Sequence, residues 1–406
     1  MEIREIRESE LQEMIDLLCL VFRPDGQERY GQYIRGDSSY RLDQTRVVAA
    51  DGRIVSTLRV WDRRMRVGAG VVRMGGIGGV GTHPDYRGRG YATALMRDAV
   101  KYMEAAGYDV GLLFSEIPCA FYRRLGWESL PLAGFRVWRR GNIELGDTDW
   151  EVGAFDEERD LEQVAALYDA YNAGQSGSIV RPRAHWDTAP ARIRDILPTV
   201  VARRGHTLGG YLNFHVGEKA VTVFEVACDQ GDPTALTALV GHLLRVCEEK
   251  GVEEICGEIP HRHPLVDLTV EGSAGDLSLK GSTSTMLYAV NLPALLRRVL
   301  PDLQSRLDAS DRKFGPLSVC FEVNDRQSVL RLHDSGALEV GDAHPDAERV
   351  SMPGAFFWRA LLGESSWEQL EPVLQARGIS AGPEISGLLR VLFPHREVIL
   401  WGPDHF

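Results

Sequence analysis

A chain of 406 residues is long enough for roughly two to four domains, and its 44% apolar and 26% charged residues are those of a water-soluble globular protein. No apolar run approaches the eighteen or so residues of a membrane span, and residues 1–10 are charged from the second position without a signal-peptide core, so the cytoplasm is the expected compartment. The net charge of −12 argues against a nucleic-acid partner, and six scattered cysteines with no CxxC pair read as reduced, packed thiols rather than a metal or disulfide framework.

Leu11, Met14, Leu17, Leu18 and Val21 recur at helical spacing and predict a helix over 11–22. Residues 24–37 read as a loop or short helix. Strands are expected at 46–50 and 54–60 around Asp51-Gly52, a hairpin signal, and at 65–72. A small-residue strand then runs through Val80, Gly81 and Thr82 and breaks at His83-Pro84-Asp85, because proline cannot continue a central strand. His83 therefore reads as structural. After the loop 86–90, Ala92, Leu95, Met96, Val100 and Met103 mark one face of a helix.

Between that strand and helix, Gly88 and Gly90 let the backbone come close to a ligand. Successive N–H groups at a helix N-terminus make an anion site, and Arg87 and Arg89 add donors suited to phosphate. Arg87 reads equally as a solvated loop charge. A Walker A loop is excluded, since no Gly-Lys-Ser/Thr follows. A buried strand is predicted at 109–115, followed by Glu116-Ile117-Pro118 and by the string FYRRLGW at 121–127.

A second unit begins near Asp149 and repeats the order of strands, helix and strand at an offset of roughly 145 residues. Its loop at 228–233 differs, with two acids, one glycine and no arginine, so it would repel a pyrophosphate. His261 and His263 read as surface residues rather than metal ligands. From Thr285 the pattern changes to a helix-forming stretch, a hairpin over 315–332 and apolar helices near 355–362 and 367–373.

Arg87, Gly90 and Ala92 form Arg-x-x-Gly-x-Ala after a strand that ends in His-Pro, which resembles the pyrophosphate loop of the GNAT acyl-CoA N-acyltransferases. FYRRLGW resembles that superfamily's Phe-Tyr-x-x-Leu-Gly-Phe element. The whole chain resembles the enhanced intracellular survival acetyltransferases in architecture. The resemblance implies an α/β (α+β) chain of two tandem GNAT units, the second degenerate, followed by a sterol-carrier-protein-like domain. The corresponding spans are 1–148, 149–284 and 285–406.

What the resemblance implies for chemistry is an acetyl-CoA-dependent N-acetyltransferase with no metal. Val80, Gly81 and Thr82 would pair with the pantetheine arm, and Arg87, Gly88, Arg89, Gly90, Tyr91, Ala92 and Thr93 would cradle the phosphates. Ser115 and Glu116 match the family's Ser-Glu pair, although Glu116 and Tyr122 stand two residues farther apart than in its Ser-Glu-Gly-x-x-Tyr pattern. Tyr122 would protonate the leaving thiolate, since a phenol of pKa about 10 is protonated at neutral pH. The α-carboxylate of Phe406 would be the base, with Glu116 and Asp404 as further carboxylates. The acceptor would be an amine of a cationic small molecule, aminoglycoside or polyamine-like; a protein lysine or peptide amine is the alternative, and a non-catalytic binding or assembly protein is the other class. Family members form homo-oligomers, many of them hexamers.

Overall fold

The structure is a computed structural model and describes residues 1–115, 117–141, 143–187, 199–323, 325–341 and 347–406. Its first elements are β1 (Glu2–Glu5), α1 (Leu11–Val21), α2 (Gln27–Arg35), β2 (Thr45–Ala50) and β3 (Arg53–Val67). They continue with β4 (Gly70–Thr82), α3 (Tyr91–Ala105), β5 (Val110–Phe114), α4 (Ala120–Arg123) and β6 (Glu128–Ser129). Asp51 and Gly52 both have positive φ, 53° and 76°, which matches the twist of the β2–β3 hairpin. The single strand expected at 65–72 is instead the end of β3 and the start of β4, joined by a turn at residues 68–69. Gly68, at φ 58°, reverses the chain there between β3 and β4.

The chain continues with β7 (Leu132–Trp138), β8 (Glu151–Ala154), β9 (Val200–Arg204), β10 (Thr207–Val216) and β11 (Ala220–Cys228). Next come β12 (Glu254–Gly257), β13 (Asp276–Ser282) and β14 (Thr285–Ala289). Two seven-stranded sheets result, in the orders β1-β2-β3-β4-β5-β14-β6 and β13-β7-β12-β11-β10-β9-β8. Each holds one parallel pair, β4 with β5 and β11 with β12, at the same place in the order. The two sheets thus share one order of pairing.

The strands cross the spans expected from sequence. β7, within 1–148, lies in the second sheet between β12 and β13; β14, at the start of 285–406, lies in the first between β5 and β6. The second sheet is thus built from the consecutive strands β7 to β13, and the first is completed by β14, which returns from beyond them.

A third sheet follows the helix Leu292–Asp308, with β15 (Leu317–Val323), β16 (Arg326–Leu332), β17 (Leu338–Gly341) and β18 (Glu348–Met352) in the order β17-β16-β15-β18. The helices Gly354–Leu362, Trp367–Gln375 and Pro383–Leu392 complete this part. Its core is continuous with the first sheet, because Met65, Met74, Val110 and Leu287 share one buried cluster with Leu296, Phe321, Phe357 and Leu389. On its other side the first sheet packs against α3 through Ile77, Leu95, Met96, Met103 and Leu113. All six cysteines are free. Among the described residues, no helix is long and apolar enough to cross a membrane.

Candidate active site

The loop after β4 is built for backbone approach. His83 caps a short turn at 84–86 by accepting the Asp85 N–H at 3.3 Å, in keeping with its structural reading. Gly88 and Gly90 sit at φ 74° and 80°, where a side chain is strained, and open space surrounds both. Gly90 is the residue before α3, and the first helical bond of this end runs from the Ala94 N–H to the Gly90 carbonyl at 3.0 Å. Among the described residues, the N–H groups of residues 88–93 find no main-chain acceptor outside the helix, as expected for an open helix N-terminus. Arg87 and Arg89 are exposed and tied lightly to the Thr82 and Asp85 carbonyls, at 3.3 and 3.1 Å. These glycines, N–H groups and cations fit a pyrophosphate.

A cleft opens beside this loop because β4 and β5 separate. They pair from Met74↔Val110 to Ile77↔Leu113 and no further, while β4 continues to Thr82 with β3 on its other edge. The backbone of Val80, Gly81 and Thr82 therefore presents an edge that β5 leaves uncovered, available for strand-like pairing with a ligand's amides. Ser115 stands at the end of β5, where its N–H donates to the Ser284 carbonyl at 2.8 Å and its hydroxyl to that of Ile117 at 2.5 Å. Glu116 lies outside the described residues. Tyr122 is on α4, 7% exposed, in the cluster on the α3 side, with its ring edge-on to Phe121 at 4.9 Å.

The last residues of the chain enter the cleft from the opposite face of the sheet. A Cβ built on Gly76 would lie 2.3 Å from Phe406 Cζ, and one on Gly78 would lie 3.2 Å from the Phe406 carboxyl carbon. Gly76 and Gly78 pair across with Trp61 and Arg59 of β3, so all four share a face. Trp61 stacks on the Phe406 ring at 6.3 Å, and Phe114 stacks on His405 at 3.7 Å. The carboxyl group of Phe406 is thus lodged where β4 and β5 part, beyond the last residue pair that joins them.

Residues 2–130 match the family model of the acetyltransferase (GNAT) domain. The chain carries a GNAT acetyltransferase domain. No curated protein matches the sequence. Solved structures that share the fold over the whole chain include a probable N-acyltransferase from Enterococcus faecalis (16% identity, TM-score 0.76, covering 100% of this chain and 99% of that one), Eis1 from Mycobacterium abscessus (18%, 0.69, 100% of both) and a GCN5-related N-acetyltransferase from Anabaena variabilis (16%, 0.73, 100% of both).

The tail that reaches the GNAT cleft is held from outside the domain. Arg181 donates from Nε and Nη2 to the Asp404 carboxylate, both at 2.8 Å, and from Nη1 and Nη2 to Glu225, at 2.9 and 2.5 Å. Asp404, one of the carboxylates the sequence offers as a base, is spent on this pairing. Burial alone would lower the Arg181 pKa, but the two carboxylates override it and hold the guanidinium charged. Nearby, Arg59 and Arg63 share the Asp37 carboxylate at 2.5 and 3.0 Å, and Arg59 lies over the Trp61 ring at 3.6 Å. Burial pulls Arg59 down to about 9, and burial followed by the Arg63 charge pulls His185 to about 3, so His185 is neutral. Arg181, Glu225, Arg59 and Asp37 are absent from the sequence reading because nothing local marks them. Gly76 and Gly78, two apart on one strand, were the available signal of something seated on that face.

Among the described residues, no group of three His, Cys, Asp or Glu is placed to hold a metal. The histidine pair corrects one expectation: His263 is not a surface residue but 1% exposed, accepting the Leu265 N–H at 3.1 Å and meeting the Tyr171 hydroxyl at 2.5 Å.

Proposed function

We propose that the protein transfers the acetyl group of acetyl-CoA to an amine by direct attack. The observation that carries this reading is the Phe406 carboxyl group against Gly78, in the opening beside the β4 edge. The loop residues Arg87, Gly88, Arg89, Gly90, Tyr91, Ala92 and Thr93 hold the phosphates, and Val80, Gly81 and Thr82 pair with the pantetheine arm. Ser115 borders the thioester, and the resemblance pairs Glu116 with it. Acetyl-CoA supplies an activated carbonyl. The Phe406 carboxylate takes the proton that the amine loses, as the new C–N bond forms and the C–S bond breaks, and Tyr122 protonates the departing thiolate. A free α-carboxyl is a weak base with a pKa of about 3.5; loss of water around a carboxylate favours its protonated form and so strengthens it as an acceptor.

The acceptor in this reading is an amine of a cationic small molecule, aminoglycoside or polyamine-like, in keeping with the charge of −12. The second unit does not bind CoA, the last part is sterol-carrier-like and serves packing, and the chain assembles as a homo-oligomer, a hexamer on the resemblance. The test is acetyl-CoA consumption over a panel of aminoglycosides, polyamines and lysine peptides. Turnover with at least one is expected, and Tyr122→Phe should lower it about 10²–10⁴-fold with acetyl-CoA binding kept. Silence across the panel would favour a binding protein, and unchanged turnover in the variant would remove Tyr122 as the acid.

A further inference from the structure

We propose that Arg181, clamped by Glu225 of the second sheet, is a positioning residue for acetyl transfer in the first: by gripping Asp404 it sets where the Phe406 carboxylate lies. The inference rests on the reading of Phe406 as the base.

The grip is directional. Arg181 uses two edges of its guanidinium, one on each carboxylate, and a fork of this kind fixes angle as well as distance. Its side chain and that of Glu225 are fully buried, and Asp404 is 4% exposed. The surroundings fix it further. The Tyr211 hydroxyl donates to Glu225 at 2.6 Å, and the Tyr168 hydroxyl is shared between the Ile179 carbonyl at 2.7 Å and Asp404 at 3.3 Å, while the guanidinium lies over the Tyr168 ring at 4.0 Å. Two acids for one cation, all out of water, is an arrangement that apolar side chains could replace without loss of stability. What apolar packing would not supply is the placement of one carboxylate at a defined point.

That point is two residues from the reacting end. Two residues span at most about 7 Å, so an error at Asp404 is passed to Phe406 with little slack. The segment between is itself constrained. The Asp404 N–H donates to the Trp401 carbonyl at 3.0 Å and the His405 N–H to that of Gly402 at 3.1 Å, and Trp401 Nε1 donates to Asn172 at 2.9 Å.

The grip also gives the second unit a task. β11 and β12 pair as far as Val223↔Gly257 and then part, as β4 and β5 do after Ile77↔Leu113. Glu225 stands two residues past that last pair. The copy without arginines in its loop has kept the parting of its strands, and uses it to seat the anchor of the first copy's tail.

A double-mutant cycle separates positioning from mere structural support. Four full-length forms are compared: wild type, Asp404→Ala, wild type with a few glycines added after Phe406, and the two changes combined. Asp404→Ala leaves the Arg181–Glu225 pair intact; where it lowers thermal stability enough to obscure the kinetics, Asp404→Asn replaces it. We expect Asp404→Ala to lower kcat about 10–100-fold, the scale of a misplaced catalytic group, with the KM for acetyl-CoA within about twofold, and to cost nothing more in the extended chain. An unchanged kcat, or an equal loss in both backgrounds, overturns the proposal while leaving the base in place. Full activity of the extended chain overturns the base reading and the positioning role with it.

Discussion

Gly76 matters for the Cβ it lacks. Its φ is ordinary, so backbone freedom is not the reason for a glycine there; the reason is the Phe406 ring, which three of its carbons bring within 2.6 Å of where that Cβ would be. In Gly76→Ala the ring at the end of the chain would give way before the central strand, so the cost falls on placement more than on stability. We expect kcat to drop about 10–100-fold with acetyl-CoA affinity held, measured by steady-state kinetics and by calorimetry. Wild-type kcat would show that the ring position is immaterial. Much of the donor half was legible at this scale, because Gly88 and Gly90 lie in one short string with the arginines that flank them. On the base side, Phe406 and Asp404 came only from the resemblance, and their surroundings were not legible. Phe406 and Gly78 are more than three hundred positions apart, and Arg181 and Glu225 look like any charged surface residues until burial reveals them.

Among the elements, the helix Pro264–Ser273 carries an acid-sensitive cap. His263 precedes it and accepts the Leu265 N–H at Nδ1, which requires a neutral ring, and burial lowers its pKa from the ordinary value near 6.5 to about 4. The unfolded chain binds the proton more readily, so the cap's contribution is complete above about pH 6.5 and is lost as pH falls towards 4. The shift corresponds to about 3 kcal/mol at most. His263→Asn keeps an N-cap acceptor without the titration. Urea unfolding at pH 7 and pH 4.5 should therefore show the wild type losing more stability than the variant, and parallel losses would exclude His263 as the cause. The order of strands, helix and strand expected after Asp149 is met by β9 to β11, the helix Thr234–Lys250 and β12. Periodicity could not decide which sheet a strand joins. β7 and β14 are short apolar stretches that would suit either sheet, and only the register of their partners distinguishes them.

For the molecule as a whole, the return of β14 makes the first sheet depend on chain that follows the second. A fragment of residues 1–148 would hold the GNAT loop, α3 and Tyr122, yet lack β14, whose Met286 and Leu287 are fully buried in the first sheet. Each such side chain is worth about 1.5–3 kcal/mol, a large share of the 5–15 kcal/mol that stabilises a typical domain. The fragment would also expose β7, which has its partners β12 and β13 only in the second sheet. It should neither unfold cooperatively nor bind acetyl-CoA. Splicing residues 283–291 after Leu130 should restore part of both properties, because the Leu130 N–H already donates to the Thr285 carbonyl at 2.9 Å and a short turn would bring β14 between β5 and β6. Circular dichroism during thermal unfolding and calorimetric titration with acetyl-CoA report the two. A cooperative, acetyl-CoA-binding 1–148 fragment would mean that β14 contributes little. A spliced form no better than the fragment would mean that the first sheet needs the third part's apolar face, where Leu296 and Leu389 share one buried core with Met74, as well as its missing strand.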